Sequence, residues 1–373
     1  MSKVVPVGSG PRIERVGVNV HACPLPEPES DGTLTWDSVT AVVVTLEAAG
    51  QTGTGWTYSS PAAATVIEHH LASIARDHGA FATSAGWQAM HRAGRNFGAG
   101  GLWMQALSAV DIAWWDLKAR LLNTSVVELA GQVRTEVPFY GSGGFTSLDD
   151  RQLQEQVGSW AAVGATAMKI KIGENWGTDV ARDLARVRRL AELAGPGVTL
   201  MVDANGGYRH GQALRVGRAL DDLGVEWFEE PVTSDDPAEL ALLREQLSCD
   251  VTAGEYAAEL DDVRALLPAV DCLQLDVTRC GGFTGFLRAA ALAQSQHLDV
   301  SGHCAPALHS VIGAAVPNLR HVEYFIDHVR VESRLIDGVP SVGGGVLRPD
   351  PARPGHGMTV RSSAGGFIRP GQG

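Results

Sequence analysis

Short apolar runs alternate with longer stretches of helical spacing through the second half of the chain. The runs span residues 137–140, 167–173, 198–203, 225–229, 251–255, 270–277, 299–303 and 319–325, and the gaps carry helical patterns, as at 180–193, 212–223 and 283–296. Strands and helices repeated this evenly predict parallel strands joined by helical crossovers. Eight such units predict a closed α/β barrel of the (β/α)8, TIM type rather than an open doubly wound sheet.

The first part of the chain is mixed rather than repetitive. Residues 12–20 alternate like a strand, 38–47 read as a more buried one, and helical spacing follows at 62–76 and 102–122. In the second of these helices Leu107, Val110, Ile112, Ala113, Trp114 and Leu117 give an apolar surface nearly all round, which predicts a helix buried between layers. Pro24, Pro26, Pro28 and Gly32 stand among Glu27, Glu29 and Asp31, so 24–32 is expected to be an exposed, mobile loop. The plan is an N-terminal α+β domain over 1–135, a barrel over 136–328, and a Gly- and Pro-rich segment, 329–373, that returns to the first domain.

Composition narrows the partners. Asp and Glu total 42 against 30 Lys and Arg, a formal charge of −12 that argues against nucleic acid or an anionic membrane. Cys23, Cys249, Cys272, Cys280 and Cys304 are odd in number and hold no Cys-x-x-Cys pair, so neither a disulfide framework nor a zinc site is indicated, and buried thiols are expected. Residues 1–6 lack an apolar leader core, and no stretch reaches the roughly 18 apolar residues of a membrane span. A soluble, cytoplasmic protein is expected.

Three acids close three consecutive runs. Asp203, Glu229 and Glu255 are separated by two steps of 26 residues, the length of a strand with its returning helix, which places them at equivalent points on neighbouring strands. Carboxylates brought together repel unless a cation compensates them, and oxygen-only ligation suits Mg²⁺. Lys169 and Lys171 are two apart on the second strand and share its inner face, while Met168, Ile170 and Ile172 point outward. A lysine beside another ammonium and a divalent cation is expected to have a lowered pKa and to serve as a base. Asp276 and His303 end the sixth and seventh strands, where the acid can hold one imidazole nitrogen and raise the basicity of the other. Glu323 lies on the eighth strand. His309 is read as structural.

Lys169-Ile-Lys171, Asp203-Ala-Asn205, Glu229-Glu-Pro231, Ala253-Gly-Glu255, Asp276, His303 and Glu323 together resemble the enolase superfamily, mandelate racemase subgroup. The likeness extends from an N-terminal α+β capping domain through a modified (β/α)8 barrel to the tail. It implies Mg²⁺ on Asp203, Glu229 and Glu255, with Lys171 and the His303–Asp276 pair as bases on opposite faces of a small-molecule carboxylate substrate. Lys169 and Asn205 would help bind the carboxylate, and Glu323, if protonated, would donate a hydrogen bond to it. The reaction implied is removal of the α-proton to give an enediolate. Dehydration of an acid sugar to a 2-keto-3-deoxy acid is the first reading, and racemisation or epimerisation of a 2-hydroxy acid, which uses the same residues, is the alternative. Specificity is expected in 23–35, 55–60 and 140–144, with Tyr140 contacting substrate. The expected assembly is a homo-oligomer.

Overall fold

The computed structural model describes residues 10–361, so residues 1–6 and the end of the expected tail lie outside the described residues. Eight parallel strands form the barrel: β4 (Val137–Gly143), β5 (Ala167–Lys171), β6 (Thr199–Asp203), β7 (Val225–Glu229), β8 (Asp250–Ala253), β9 (Cys272–Leu275), β10 (Asp299–Gly302) and β11 (Leu319–Phe325). Each pairs with the next in chain order, and β11 closes on β4 with Glu323 opposite Tyr140. Alternation along the strands sorts the side chains. Met168, Ile170, Val202, Phe228, Val251 and Leu273 point outward into the main core under the helices, whereas Tyr140, Met201, Trp227 and Cys272 plug the interior.

The N-terminal domain is an antiparallel meander, β1 (Arg15–Ser30), β2 (Thr35–Ala48) and β3 (Gln51–Tyr58), backed by helices. Helix Gly101–Leu121 is buried on both sides, as its pattern predicts. One side lies on the sheet, where a Cβ at Gly53 would come within 2.3 Å of the Ala113 carbonyl. The other meets the barrel. Its Asp111 accepts hydrogen bonds from the Thr284 amide at 2.9 Å and hydroxyl at 2.7 Å, capping helix Gly282–Gln294 from outside that helix.

Two expectations for this domain need correction. The proline-rich stretch 24–32 is not a free loop: most of it is the end of β1, with Pro24 opposite Ser38, Glu29 opposite Trp36 and Ser30 opposite Thr35. β1 is an edge strand, so its prolines need no outward N–H partner, and the register irregularity between Pro24 and Glu29 takes up Pro26 and Pro28. Residues 55–58, expected to lie in a specificity-determining loop of this domain, belong to β3, and Gly55 sits close against the helix, where a Cβ would come within 2.4 Å of the Ala109 carbonyl.

The tip of the β1–β2 hairpin rests on the C-terminal end of the barrel. Thr146 donates its amide to the Ser30 carbonyl at 2.8 Å, Trp176 donates to that of Gly32 at 2.9 Å, and a Cβ on Gly32 would lie 2.6 Å from the Ile172 carbonyl oxygen. After helix Ile326–Leu335, β12 (Ser341–Gly343) pairs antiparallel with β13 (Val346–Arg348), which in turn adds antiparallel to the start of β4. The chain then returns to the first domain, where His356 bonds Asp116 and the Thr54 carbonyl. No helix among the described residues is long and apolar enough to cross a membrane.

Candidate active site

Asp203 and Glu229 end adjacent strands in direct register, and both are fully buried. Glu255 breaks the expected equivalence. Register opposes Thr252, not Glu255, to Glu229, and Glu255 reaches the centre from the loop beyond β8, through Gly254 at φ +130°. One ligand oxygen from each acid nevertheless lies within 4.8 Å of the others. Glu229 Oε1, Glu255 Oε2 and Asn205 Oδ1 are buried without hydrogen-bond partners. Converging, unpartnered oxygens of this kind fit a hard divalent cation, whose octahedral shell at about 2.1 Å sets oxygens roughly 3 to 4 Å apart.

Lys169 and Lys171 enter from β5, facing inward. The Lys169 ammonium lies 2.6 Å from Glu229 Oε2 and 2.9 Å from Glu323 Oε1, and Lys171 pairs with Asp203 Oδ2. The expected lowering of the lysine pKa supposes a divalent cation at the acids; among the protein's own groups the direction is the opposite. Burial alone would lower Lys171, but the Asp203 carboxylate outweighs it and raises the group well above the ordinary lysine value. Tyr140 is also displaced from its expected role. It lies in the barrel plug beneath Lys169, its hydroxyl accepting from Gln274 Nε2 at 2.9 Å and from Lys169 at 3.3 Å, so it supports the lysine and does not face the mouth. Asn205 adopts a left-handed backbone, φ 46°, and donates its amide to Asp203 Oδ1 at 2.8 Å.

His303 stands across the acids from the lysines. Its Nδ1 donates to Asp276 Oδ2 at 2.9 Å, and its Nε2 lies 3.2 Å from Glu255 Oε2. Burial works against both charges, yet the pair stabilises itself. The bond from His303 and the Arg279 guanidinium hold Asp276 well below the carboxylate range, and the thiol of Cys304 with Glu255 and Glu323 raises His303 well above its usual value. Glu323, read as a donor if protonated, is surrounded here by donors. Burial is overcome by the Lys169 ammonium, which keeps its carboxyl well below normal, and it accepts from Ser142 Oγ at 2.6 Å and the Cys304 amide at 2.7 Å. His309 is structural as expected, bridging the Cys304 carbonyl and the Val277 amide.

Sequence reasoning missed Arg279, which lies 3.2 Å from Glu255 and 3.3 Å from Asp276. Its position three residues after Asp276 was the available signal. Also missed were Ser142, Gln274 and the place of Cys304 in the site, whose side chains give no motif; Glu230, within the Glu229-Glu-Pro231 motif but given no role there, is buried at φ 38°.

Residues 16–131 match the family model for the mandelate racemase / muconate lactonizing enzyme N-terminal domain, and 152–364 match that for the enolase C-terminal domain-like family. The 3,6-anhydro-alpha-L-galactonate cycloisomerase of Streptomyces coelicolor is 31% identical over 93% of this chain and 97% of its own. A mandelate racemase/muconate lactonizing enzyme-like protein from Rubrobacter xylanophilus superposes with a TM-score of 0.93 at 44% identity, covering 96% of this chain and 100% of that one. The L-talarate/galactarate dehydratase of Salmonella typhimurium, liganded with Mg and L-lyxarohydroxamate, superposes at 0.88 with 28% identity over 98% of this chain and 94% of its own. Homologues include acid-sugar dehydratases and an epimerase.

Proposed function

The chain belongs to the mandelate racemase/muconate lactonizing enzyme family of the enolase superfamily, and from that membership we propose that it dehydrates an acid sugar to a 2-keto-3-deoxy acid by abstracting the α-proton. The observation that carries this reading is the placement of Lys171 and the His303–Asp276 pair on either side of three converging carboxylates. Asp203, Glu229 and Glu255 would hold Mg²⁺. Bound there, Mg²⁺ supplies the positive charge that compensates the acids, loosens their hold on Lys171 and lowers the cost of a dianionic enediolate.

Lys171 takes the α-proton, and the C–H electron pair passes into the enediolate. His303 gives its Nε2 proton to the departing 3-hydroxyl, so water leaves, the C–O bond breaks, and the resulting enol tautomerises to the 2-keto acid. Asp276 keeps the imidazole oriented through Nδ1. Lys169 fixes Glu229 and Glu323 against each other at the floor. A second reading, racemisation or epimerisation, is favoured by the same flanking of the acids from two sides, since each base could serve one face.

The test is incubation with Mg²⁺ and a panel of acid sugars in D₂O, following α-deuterium uptake and keto-acid product together. For the dehydratase, His303→Asn should stop product while slow α-exchange continues from substrate of matching configuration, and Lys171→Ala should stop both. Exchange from one enantiomer in each variant, without keto acid, would establish the racemase instead. Full product formation by His303→Asn would remove His303 from the mechanism.

A further inference from the structure

A second set of donors lies beside the oxygen triad and differs from it in kind. His303 Nε2, Cys304 Sγ and a Glu323 oxygen lie within 4.8 Å of one another, all on buried side chains. Cys304 Sγ is 3.3 Å from His303 Nε2, Glu323 Oε2 is 3.7 Å from it, and Glu255 Oε2 is 3.2 Å from it. Tetrahedral zinc, with bonds of about 2.0 Å to nitrogen or oxygen and about 2.3 Å to sulfur, sets ligand-to-ligand edges of about 3.3 to 3.6 Å. The three separations measured from His303 Nε2 therefore match the edges of a zinc shell with small adjustment.

Two further observations point the same way. Glu255 Oε2 is buried and has no hydrogen-bond partner. Asp276 engages Nδ1 of His303 at 2.9 Å, which orients Nε2 toward the group and supplies the carboxylate partner that zinc-bound histidines ordinarily have. Left-handed φ at Cys304 (53°) and Ala305 (38°), held by the Ala305 amide on His328 and the Cys304 amide on Glu323, keeps the thiol folded back over the imidazole. The sequence carries no zinc signature here because these donors come from the turn after β10, from β11 and from the loop beyond β8, and not from a Cys-x-x-Cys loop.

We infer that His303, Cys304 and Glu323, with Glu255 shared with the neighbouring oxygen triad, form a binding site for a soft or borderline divalent cation, Zn²⁺ or Co²⁺. Occupation breaks the S–H bond of Cys304 and the Nε2–H bond of His303, passes both protons to solvent, and forms S–metal and N–metal bonds. Soft thiolate and imidazole favour zinc over magnesium here, as oxygen-only ligation favours magnesium at the triad. If the proposed function holds, on which this consequence alone rests, zinc ties up the second base and inhibits.

Titration of the purified full-length chain with Co²⁺ in the presence of excess Mg²⁺ tests the site without reference to turnover. A thiolate-to-Co²⁺ charge-transfer band in the near ultraviolet should appear, saturate stoichiometrically, and be erased by Zn²⁺. Cys304→Ser should lose the band and Glu229→Gln should keep it, while Asp276→Asn should weaken zinc binding roughly 10- to 100-fold. Absence of the band in the unmodified protein, or its survival in Cys304→Ser, overturns the site. Zinc binding that Glu229→Gln abolishes and Cys304→Ser spares would assign the ion to the oxygen triad and overturn it equally. Appearance of the band in a protein that turns over no acid sugar would refute the proposed function while leaving this site intact.

Discussion

Replacing Lys169 with Met isolates the electrostatics of the barrel floor. The ammonium is completely buried, 2.6 Å from Glu229 and 2.9 Å from Glu323, so its removal leaves two neighbouring buried carboxylates without their shared cation. Breaking a buried pair in this way costs about 3 to 5 kcal/mol, and the methionine chain keeps most of the packing volume. The sign of the pH dependence follows. In the native chain Glu323 has a depressed pKa, so its contribution is present above the unfolded value, about 4.3, and is lost as pH falls through the lower folded value. Burial and Asp203 push Glu229 up to about 8 against Lys169, so its contribution is present below about 4.3 and lost as pH rises through 8. Without the ammonium both acids move up, and the variant loses stability with rising pH more steeply than the native chain. Urea denaturation followed by circular dichroism in EDTA should give the full deficit at pH 8 and a distinctly smaller one at pH 5. Added Mg²⁺ should recover part of it at pH 8. A deficit under about 1 kcal/mol at pH 8, or one equal at both pH values, would refute the assignment of Lys169 as the counter-ion of this pair.

Glu229→Gln should abolish turnover and weaken Mg²⁺ binding, because a charged ligand becomes a neutral one; retained activity, or activity in EDTA, would end the metal assignment. Since the Glu229 carboxyl is pushed up to about 8, Mg²⁺ must displace its proton, and affinity measured by calorimetry should rise roughly tenfold per pH unit between about 6 and 8, a flat profile being the contrary result. Gly32→Val places a side chain against the Ile172, Gly173 and Ala204 carbonyls and should raise KM roughly tenfold, equivalent to about 1.4 kcal/mol, with little change in melting temperature; unchanged KM would detach the hairpin tip from substrate binding. Asp111→Ala leaves two donors of Thr284 unpaired in the interface and should cost about 2 to 4 kcal/mol in thermal or urea unfolding, a loss below about 1 kcal/mol showing that the cap is not fastened there.

The barrel was readable because its periodicities are strong and its chemistry sits at strand ends. Inward Lys169 and Lys171 against outward Met168, Ile170 and Ile172 is a two-residue alternation that only one register satisfies. Glu255 was placed correctly in the cluster but for an incomplete reason, since equal sequence steps do not reveal that β8 ends two residues early and that Gly254 turns the chain back. The proline segment was misread because local propensity describes an isolated strand, whereas an edge position with a register irregularity tolerates what a central strand does not. Charge states were least legible. Whether Glu323 donates or accepts depends on Lys169 reaching it across the barrel, and no local pattern in either strand records that contact.

The two halves of the candidate site are held by different parts of the molecule. Lys169, Lys171, Asp203 and Glu229 stand on consecutive barrel strands and are fixed by the sheet itself. The His303 half depends on turns, and the N-terminal domain grips those turns. Thr57 of β3 donates to the Thr278 carbonyl at 2.9 Å, two residues after Asp276, while Trp87 donates to the Gly281 carbonyl and Ser108 accepts from the Gly281 and Gly282 amides. Tyr58 stacks on His328 at 3.5 Å and donates to Glu332, and those two residues accept the Ala305 and Ala307 amides of the turn after His303. A turn held through another domain is only as rigid as the docking of that domain, whereas a strand end inherits the rigidity of the sheet. The cap therefore fastens the turns that carry His303 and Asp276, whereas Lys169 and Lys171 stand on a barrel strand.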